Sequence, residues 1–294
     1  ELFKKIIYRL IFVIRKIVAL PLYLVINLGT VYAKLIKCID RRNYNADWQE
    51  LLNEHLDKFV SQKITVSESP HKEIYFFTPS KIASYRARTF FSKEPETIKW
   101  LNKNGSKDKL FFDIGANMGI YSIYFAKMFD TKVFAFEPSF KNLELLTKNI
   151  KINSLEQKIT LISNPLTNFS KVSNFYQNNF IAGQANATFL ENDDIKTPSN
   201  FISNSKEIIF KTLGFSLDTF LNLKIIKRPQ LIKIDVDGNE VEIIKGAKNT
   251  LSTKEKIHIL IETRPETEKE VENELSNLNF KKVAKFKDNE EWEN

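Results

Sequence analysis

The sequence predicts an α/β fold built on a doubly wound, mostly parallel sheet, with a helical basic N-terminal extension. Two observations support this prediction. Short apolar runs alternate with segments whose apolar residues recur at helical spacing, which is typical of βα units. Several of these runs end in an acid, at Asp113, Glu137 and Asp235. Because parallel strands end at one edge of a sheet, these acids should meet where α/β proteins bind ligands.

The first βα unit spans residues 110–127, with the sequence LFFDIGANMGIYSIYFAK. Its apolar start is typical of a buried parallel strand, and the apolar residues that follow have helical spacing. The short turn between them contains Gly115, Asn117 and Gly119. Glycine lets the backbone approach a ligand without a Cβ, and the start of a helix offers unpaired N–H groups. We therefore predict a ligand site formed by Asp113 and these turn residues.

The second strand, within residues 133–138, leads into Glu137, which follows Gly115 by 22 residues. A carboxylate here can accept hydrogen bonds from both hydroxyls of a ribose. A dinucleotide site would need a central glycine where Asn117 stands, and Asp113 would repel a pyrophosphate. A cofactor with an ammonium and a sulfonium group fits better, which predicts S-adenosylmethionine. The alternative is that both acids only cap turns, but two matches in order favour the cofactor site.

A third strand and a long insertion follow. The strand is predicted over residues 159–162, and Asn164 beyond its end is the expected contact for an adenine ring. Residues 167–223 are too long for a plain βα connection. We predict an insertion with short antiparallel strands that forms one wall of an acceptor pocket.

The fourth strand ends in a pair of acids, Asp235 and Asp237. Side chains two apart on an extended segment point the same way, so repulsion should raise the pKa of one and make it a base for a hydroxyl proton. Glu262, which closes the next strand, is a further candidate base or acceptor-positioning group. The alternative for Asp237 is structural, because Asp237 and Glu240 have the spacing of a helix capping box.

Five sequence blocks occur in order between residues 113 and 263. They are DIGANMGIYS at 113–122, AFEPSFKNLELLTKNIKIN at 135–153, SLDTFL at 216–221, LIKIDVDGNEVEIIKGA at 231–247 and ILIET at 259–263. Together they resemble the FkbM-type class I methyltransferases, over roughly residues 94–286. The resemblance implies a Rossmann-like sheet, S-adenosylmethionine as donor and, usually, methylation of a hydroxyl on a sugar, polyketide or similar metabolite. The family commonly has Glu where this chain has Asp237, which shortens the reach of that acid.

The sequence assigns residues to two ends of the predicted site. The donor residues are Asp113, Gly115, Asn117, Gly119, Glu137 and Asn164, and the acceptor-facing residues are Asp235, Asp237 and Glu262. Tyr85, Arg86 and Arg88 are candidates for gripping an acceptor over the cleft, with exposed structural arginines as the alternative. No dedicated metal site is expected, since the chain has three His and one Cys.

The charge of the chain is concentrated at its N-terminus. Residues 1–42 contain nine basic and two acidic side chains, so the rest of the chain is almost neutral although the net charge is +8. This distribution argues against a nucleic acid substrate, which would require a basic stripe near the cleft. A lone cysteine gives no sign of an oxidising compartment. The expected location is the cytoplasm. The basic N-terminus also allows peripheral attachment to the cytoplasmic membrane.

The uncharged segment at residues 17–33 has three alternative interpretations. It is at the lower length limit for a membrane span, and Pro21 and Gly29 weaken a spanning helix. A helix in the headgroup region, with its flanking Lys and Arg on anionic lipid, fits at least as well. The third interpretation is a helical hairpin packed on the enzyme or on a partner subunit.

We therefore predict three regions: a basic apolar helical segment at 1–45, an accessory region at 46–93 and a Rossmann-like methyltransferase domain at 94–294. The predicted activity is S-adenosylmethionine-dependent O-methylation of a hydroxyl on a saccharide, glycolipid or similar metabolite. The alternatives are a nicotinamide-dependent oxidoreductase, for which no hydride apparatus is evident, and a nonenzymatic membrane-associated scaffold.

Overall fold

The computed structural model describes residues 61–65, 73–177, 181–185, 187–189 and 208–294, together with residues 20, 24, 27–29 and 31. The chain divides into two compact units, residues 1–58 and 59–294. The predicted basic segment and its membrane interpretations fall almost entirely outside the described residues. The boundary predicted at residues 93 and 94 falls inside the second unit.

The described residues of the second unit form twelve strands and eight helices. The strands are β1 Ser61–Thr65, β2 Glu73–Phe77, β3 Phe111–Ile114, β4 Val133–Phe136, β5 Ile159–Ile162, β6 Lys171–Gln177, β7 Ala187–Phe189, β8 Ile208–Gly214, β9 Leu231–Ile234, β10 His258–Glu262, β11 Lys281–Lys285 and β12 Asn289–Glu293. The helices are α1 Lys81–Arg88, α2 Pro95–Asn104, α3 Ile120–Phe129, α4 Phe140–Ile152, α5 Leu217–Asn222, α6 Glu240–Lys245, α7 Lys248–Leu251 and α8 Glu268–Asn277.

Seven strands form the central sheet, in the order β5-β4-β3-β9-β10-β12-β11. The five strands from β5 to β10 are parallel, and β12 is antiparallel to both of its neighbours. From β3 the chain builds outward through β4 and β5, then returns to β9 on the other side of β3. This reversal creates a switch point between β3 and β9, where doubly wound proteins bind ligands. The predicted Rossmann-like, mostly parallel sheet is therefore confirmed.

The two faces of the sheet bury separate apolar cores. On β3, Phe111 packs into one core and Phe112 into the other, because successive strand residues point to opposite faces. The first core receives residues of α2, α3 and α4, and the second receives residues of α5 to α8. All four residues of β3 are buried, as expected for a central parallel strand.

The elements that precede α2 pack on the first core. Ile74 and Phe76 of β2 and Ala83 and Ala87 of α1 are fully buried there. Asn149 of α4 also accepts a hydrogen bond from the backbone N–H of Phe77 at 2.7 Å. These contacts place α1, and with it Arg86, beside the carboxyl edge of the sheet.

The described part of the insertion contains a three-stranded antiparallel sheet in the order β7-β6-β8. The last strand of the central sheet, β12, has no counterpart among the predicted elements. Its sequence, NEEWE, is acidic and lacks apolar alternation, yet Asn289, Glu290, Glu291 and Trp292 are buried. Lys282 of β11 lies 3.1 Å from the Glu290 carboxylate and over the Trp292 ring, which compensates the buried acid.

Candidate functional site

A cavity of about 220 Å³ opens at the carboxyl edge of the central sheet, at the switch point between β3 and β9. Its walls come from the turn after β3, the ends of β4, β9 and β10, helix α1 and the loop at residues 181–185. Seven of the twelve predicted site residues line this cavity: Arg86, Gly115, Asn117, Glu137, Asp235, Asp237 and Glu262.

Four of the other predicted residues lie elsewhere. Asp113 is fully buried and does not line the cavity. Gly119 is the N-cap of α3, where a Cβ would lie 2.2 Å from the Leu146 side chain, so it serves helix packing. Tyr85 is 51% exposed, and Arg88 is exposed with its Nε donating to the Ser84 carbonyl at 3.3 Å. Both lie on the exposed side of α1, whereas Arg86, one position after Tyr85 and two before Arg88, faces the cavity.

The fifth, Asn164, lines a smaller adjacent cavity of about 40 Å³. The two cavities share five lining residues: Gly115, Pro138, Ala187, Val236 and Asp237. The Asn164 amide donates to the Leu213 carbonyl at 2.9 Å. Four of the six predicted donor residues therefore line the two adjacent cavities, with Asn117 and Glu137 in the larger one, Asn164 in the smaller one and Gly115 in both.

The turn after β3 touches the end of β9 through Gly115. Its φ is +82°, and a Cβ on this residue would lie 1.9 Å from the Asp235 backbone oxygen. Its N–H also donates to the Phe136 carbonyl at 3.0 Å. Only glycine satisfies both the positive φ and the close approach. Gly115 thus contacts the ends of both β4 and β9, and these strand ends present Glu137 and Asp235 to the same cavity.

Glu137 is only 4% exposed and accepts two backbone hydrogen bonds. The Asn117 N–H donates to one oxygen at 2.7 Å, and the Ser139 N–H donates to the other at 2.8 Å. Asn117 reaches this position with a φ of +53°. Burial raises the pKa of Glu137 to about 7, although these hydrogen bonds and Arg86 act in the opposite direction. The carboxyl is therefore fixed in place and titrates near neutral pH.

Asp113 supports the site from behind. Strand alternation points it toward α3, where the Ser122 hydroxyl donates to it at 2.5 Å. Its other oxygen is buried without a hydrogen-bond partner among the described residues. Burial raises the pKa of Asp113, against the attraction of Lys233. The sequence predicted that Asp113 contacts the donor directly. Its buried position behind the cavity favours a supporting role instead.

Lys233 is a cavity residue that the sequence analysis missed. It is 1% exposed within β9, and its Nζ lies 2.5 Å from the Asp235 carboxylate and 4.9 Å from the centre of the Tyr121 ring. Burial alone would lower the pKa of Lys233, but Asp235, Asp113 and Glu94 together raise it. A sequence signal existed, because a lysine inside an apolar strand must find a buried partner.

Asp235 and Glu262 form a coupled pair of acids in the cavity. Burial would raise the pKa of Asp235, yet Lys233 and a hydrogen bond with Glu262 hold it below its ordinary range. Burial and the charge of Asp235 raise the pKa of Glu262. The raised pKa favours the protonated form of Glu262, which is hydrogen-bonded to the Asp235 carboxylate. Asp235 thus raises the pKa of Glu262, and its own pKa is lowered rather than raised beside Asp237.

Asp237 links the sheet edge to the insertion. Its carboxylate accepts from Arg264 at 3.0 Å and from the Ala187 N–H at 3.2 Å. The N-cap of α6 is Asn239, which makes no side-chain capping bond. Asp237 is thus part of the cavity wall rather than the cap of the following helix.

Glu94 and Tyr121 also line the cavity. The Tyr121 hydroxyl donates to the Glu94 carboxylate at 2.7 Å, and Lys93 lies 2.5 Å from the same carboxylate. Burial raises the pKa of Tyr121 well above its ordinary value, so the phenol remains a donor. No short motif contains these residues, because α2 and α3 bring them to the site from separate parts of the chain.

The fold and the cavity define a doubly wound α/β protein with a cofactor-type site at its switch point. Comparison with protein families is more specific, since the model of the methyltransferase FkbM domain matches residues 113–282. The chain belongs to this family. The resemblance inferred from the five blocks is therefore confirmed.

One curated relative is the hexuronic acid methyltransferase AglP of Haloferax volcanii, which is 24% identical over 160 residues. The match covers 54% of this chain and 59% of that protein. Similar solved structures include a methyltransferase FkbM from Methylobacillus flagellatus KT, with 15% identity, a TM-score of 0.43 and coverage of 65% of this chain and 44% of that one. Another is a precorrin-6y C5,15-methyltransferase from Geobacter metallireducens GS-15, with 14% identity, a TM-score of 0.41 and coverage of 70% and 90%.

The family is described as one of methyltransferases. Within the described residues, no group of three or more His, Cys, Asp and Glu side chains has an arrangement that could hold a metal ion. A search of the same residues finds no helix with the length and apolarity of a membrane span.

Proposed function

We propose that the chain transfers a methyl group from S-adenosylmethionine to an oxygen of a saccharide, a glycolipid or a similar hydroxylated metabolite. The observation that supports this most directly is the joint presence of Glu137 and Asp235 in one cavity, at the ends of two strands that both border β3. Glu137 suits a ribose, and Asp235 lies where an acceptor would meet the donor.

The donor fits the residues of this cavity. Glu137 presents a fixed carboxyl group to the cavity, as binding of a ribose diol requires. Asn164 retains an amide oxygen that can accept from an adenine amino group in the smaller cavity. The turn after β3 has Asn117 where a dinucleotide site needs its central glycine, which favours a sulfonium cofactor over a dinucleotide.

S-adenosylmethionine supplies a methyl group on a positively charged sulfur when it is bound. The protein has to align the acceptor oxygen and take up its proton. Lys233 holds Asp235 ionised and fixes one of its oxygens at 2.5 Å, so that the carboxylate has a defined orientation. Asp235 is the proposed proton acceptor: the hydroxyl proton becomes strongly acidic as the new C–O bond forms, so a carboxylate of low pKa can take it up, and Glu262 fixes that carboxylate through their hydrogen bond. Asp237 orients the insertion wall through Ala187.

The proposed acceptor class follows from the relative and from the polar lining. AglP is described as acting on hexuronic acid, and the cavity of this chain has charged side chains on its acceptor side. A saccharide or glycan acceptor agrees with both. Attachment of residues 1–42 to an anionic membrane surface, as expected from their charge, would bring the enzyme close to a lipid-linked acceptor.

Calorimetric titration with S-adenosylhomocysteine tests the donor part of this proposal. We expect micromolar binding by the wild-type protein, abolished by Glu137→Ala, because the ribose loses its carboxylate partner. Glu156→Ala is the matched control, since Glu156 is exposed and remote from both cavities. Binding of NAD in place of S-adenosylhomocysteine would support the oxidoreductase alternative and contradict the proposal.

A screen with radiolabelled methyl donor and a panel of glycans and glycolipids tests the acceptor part. Label transferred to a saccharide oxygen supports the proposal. Donor binding without transfer to any hydroxylated acceptor would favour the nonenzymatic scaffold. Label on nitrogen or carbon would contradict the assignment to oxygen.

A further inference from the structure

Among the residues that the structure describes, four cationic side chains line the cavity: Arg86, Lys93, Lys233 and Arg264. Three of them have a carboxylate partner in the same cavity. Lys93 lies 2.5 Å from Glu94, Lys233 lies 2.5 Å from Asp235, and Arg264 lies 3.0 Å from Asp237. Their charges are therefore compensated within the protein.

Arg86 differs from the other three cations. Its Nε donates to the Gly183 carbonyl at 2.8 Å, which is a neutral partner. Among the residues that the structure describes, none has a carboxylate oxygen within 4.0 Å of its guanidinium. The two terminal nitrogens retain their hydrogen-bond donors, and the bond from Nε fixes the plane in which they lie.

The position of Arg86 lies within electrostatic reach of both ends of the site. Its charge lowers the pKa of Glu137 at the proposed ribose end and that of Asp235 at the acceptor end. Helix α1 is anchored through buried Ala83 and Ala87, so Arg86 projects from a rigid element. An unpaired, oriented guanidinium in a cavity is an arrangement suited to bidentate binding of a planar oxyanion.

We propose that the terminal nitrogens of Arg86 bind a carboxylate group of a ligand in this cavity. The inference rests on the proposed function, because both sources of the carboxylate follow from it. One source is the amino acid end of the methyl donor, and the other is an acidic sugar acceptor. The other cations of the cavity are already paired with carboxylates of the protein. In either case, therefore, Arg86 is the cation that neutralises the carboxylate of the ligand.

The donor source is tested with two ligands, S-adenosylhomocysteine and its decarboxylated analogue. If the donor carboxylate binds Arg86, its removal should weaken binding to the wild-type protein by about tenfold or more. The same removal should change binding to Arg86→Gln less than about twofold, because the interaction is already absent. Arg86→Gln keeps an N–H group for the Gly183 carbonyl, and Lys81→Ala is the control for loss of an exposed cation on the same helix.

The acceptor source is tested on protein saturated with S-adenosylhomocysteine. Methyl glucuronoside and methyl glucoside are titrated in turn, since the first has a carboxylate where the second has a hydroxymethyl group. A preference for the glucuronoside in the wild-type and Lys81→Ala proteins that disappears in Arg86→Gln assigns the carboxylate to the acceptor.

The two experiments together decide the inference. A carboxylate preference that depends on Arg86 in either titration supports it and identifies the source. Absence of such a preference in both titrations, or equal weakening of both ligands of each pair in Arg86→Gln, would overturn it. Failure of the wild-type protein to bind S-adenosylhomocysteine at all is a different result, and it would contradict the proposed function.

Discussion

Burial sets the chemistry of individual residues in this cavity. Glu137 is almost fully buried, so its pKa is raised to about 7, whereas Asp235 keeps a low pKa because Lys233 lies beside it. Two carboxyl groups at neighbouring strand ends therefore differ in protonation near neutral pH. Ligand binding can change the protonation of Glu137, whereas Asp235 remains ionised and accepts hydrogen bonds.

The raised pKa of Glu137 predicts a pH-dependent stability. The unfolded chain loses this proton near its ordinary pKa of about 4.5, whereas the folded protein holds it until about pH 7. The stabilising contribution is therefore complete below pH 4.5 and is lost between pH 4.5 and pH 7. The free energy of unfolding should fall by about 3 kcal/mol over this range. Urea unfolding across this range should show the decline, and Glu137→Gln should lack that component. A difference between the two proteins that does not vary with pH would contradict the prediction.

Residue patterns in the sequence identified part of this site. Gly115, Asn117, Glu137, Asp235 and Glu262 follow strands or turns that are contiguous in sequence, and all five line the cavity. Lys233, Glu94, Tyr121 and Arg264 were missed because their roles depend on tertiary neighbours. Asp113 was assigned to the cavity because it ends an apolar run, but strand alternation points it toward α3.

At the scale of elements, the turn after β3 is the part of the site with the strictest backbone requirement. Gly115 and Gly238 both have positive φ values, +82° and +102°. They differ in their surroundings. A Cβ on Gly115 would meet the Asp235 backbone oxygen at 1.9 Å, whereas a Cβ on Gly238 would have no atom within 4 Å. The first glycine is required by packing as well as by conformation.

These surroundings predict different outcomes for two matched substitutions. Gly238→Ala should lower the free energy of unfolding by about 1 kcal/mol, since only the backbone conformation is strained. Gly115→Ala should lower it by about 3 kcal/mol or more, because the turn must also move away from β9. The shift should abolish binding of S-adenosylhomocysteine in Gly115→Ala but not in Gly238→Ala. Chemical unfolding and calorimetry measure both quantities, and equal effects of the two substitutions would refute this account of the turn.

Elements differed in how far the sequence predicted them. The central parallel strands were predicted because they are short, apolar and bounded by turns, as β3 and β9 show. Strand β12 was not predicted, because its burial depends on Lys282 and on pairing with β10 and β11. For the insertion, the sequence predicted short antiparallel strands but not which strands pair. The register of β6 with β8 depends on contacts distant in sequence.

At the scale of the whole molecule, the order of strands explains why distant residues meet. The chain leaves β3 in one direction and returns at β9, so the turn after β3 faces the ends of both β4 and β9. The insertion then closes this edge through the loop at residues 181–185, whose carbonyls accept from Arg86, Asn117 and Asn142. The sheet edge and the insertion thus form the walls of one cavity.

The central claim is that this cavity binds a sulfonium nucleoside with its ribose on Glu137 and its sulfur toward Asp235. A crystal structure of the protein with S-adenosylhomocysteine tests it most directly. We expect both ribose hydroxyls within hydrogen-bond distance of the Glu137 carboxylate, the adenine in the cavity of Asn164 and the sulfur facing Asp235. Ligand density outside this cavity, or a ribose that does not contact Glu137, would contradict the claim.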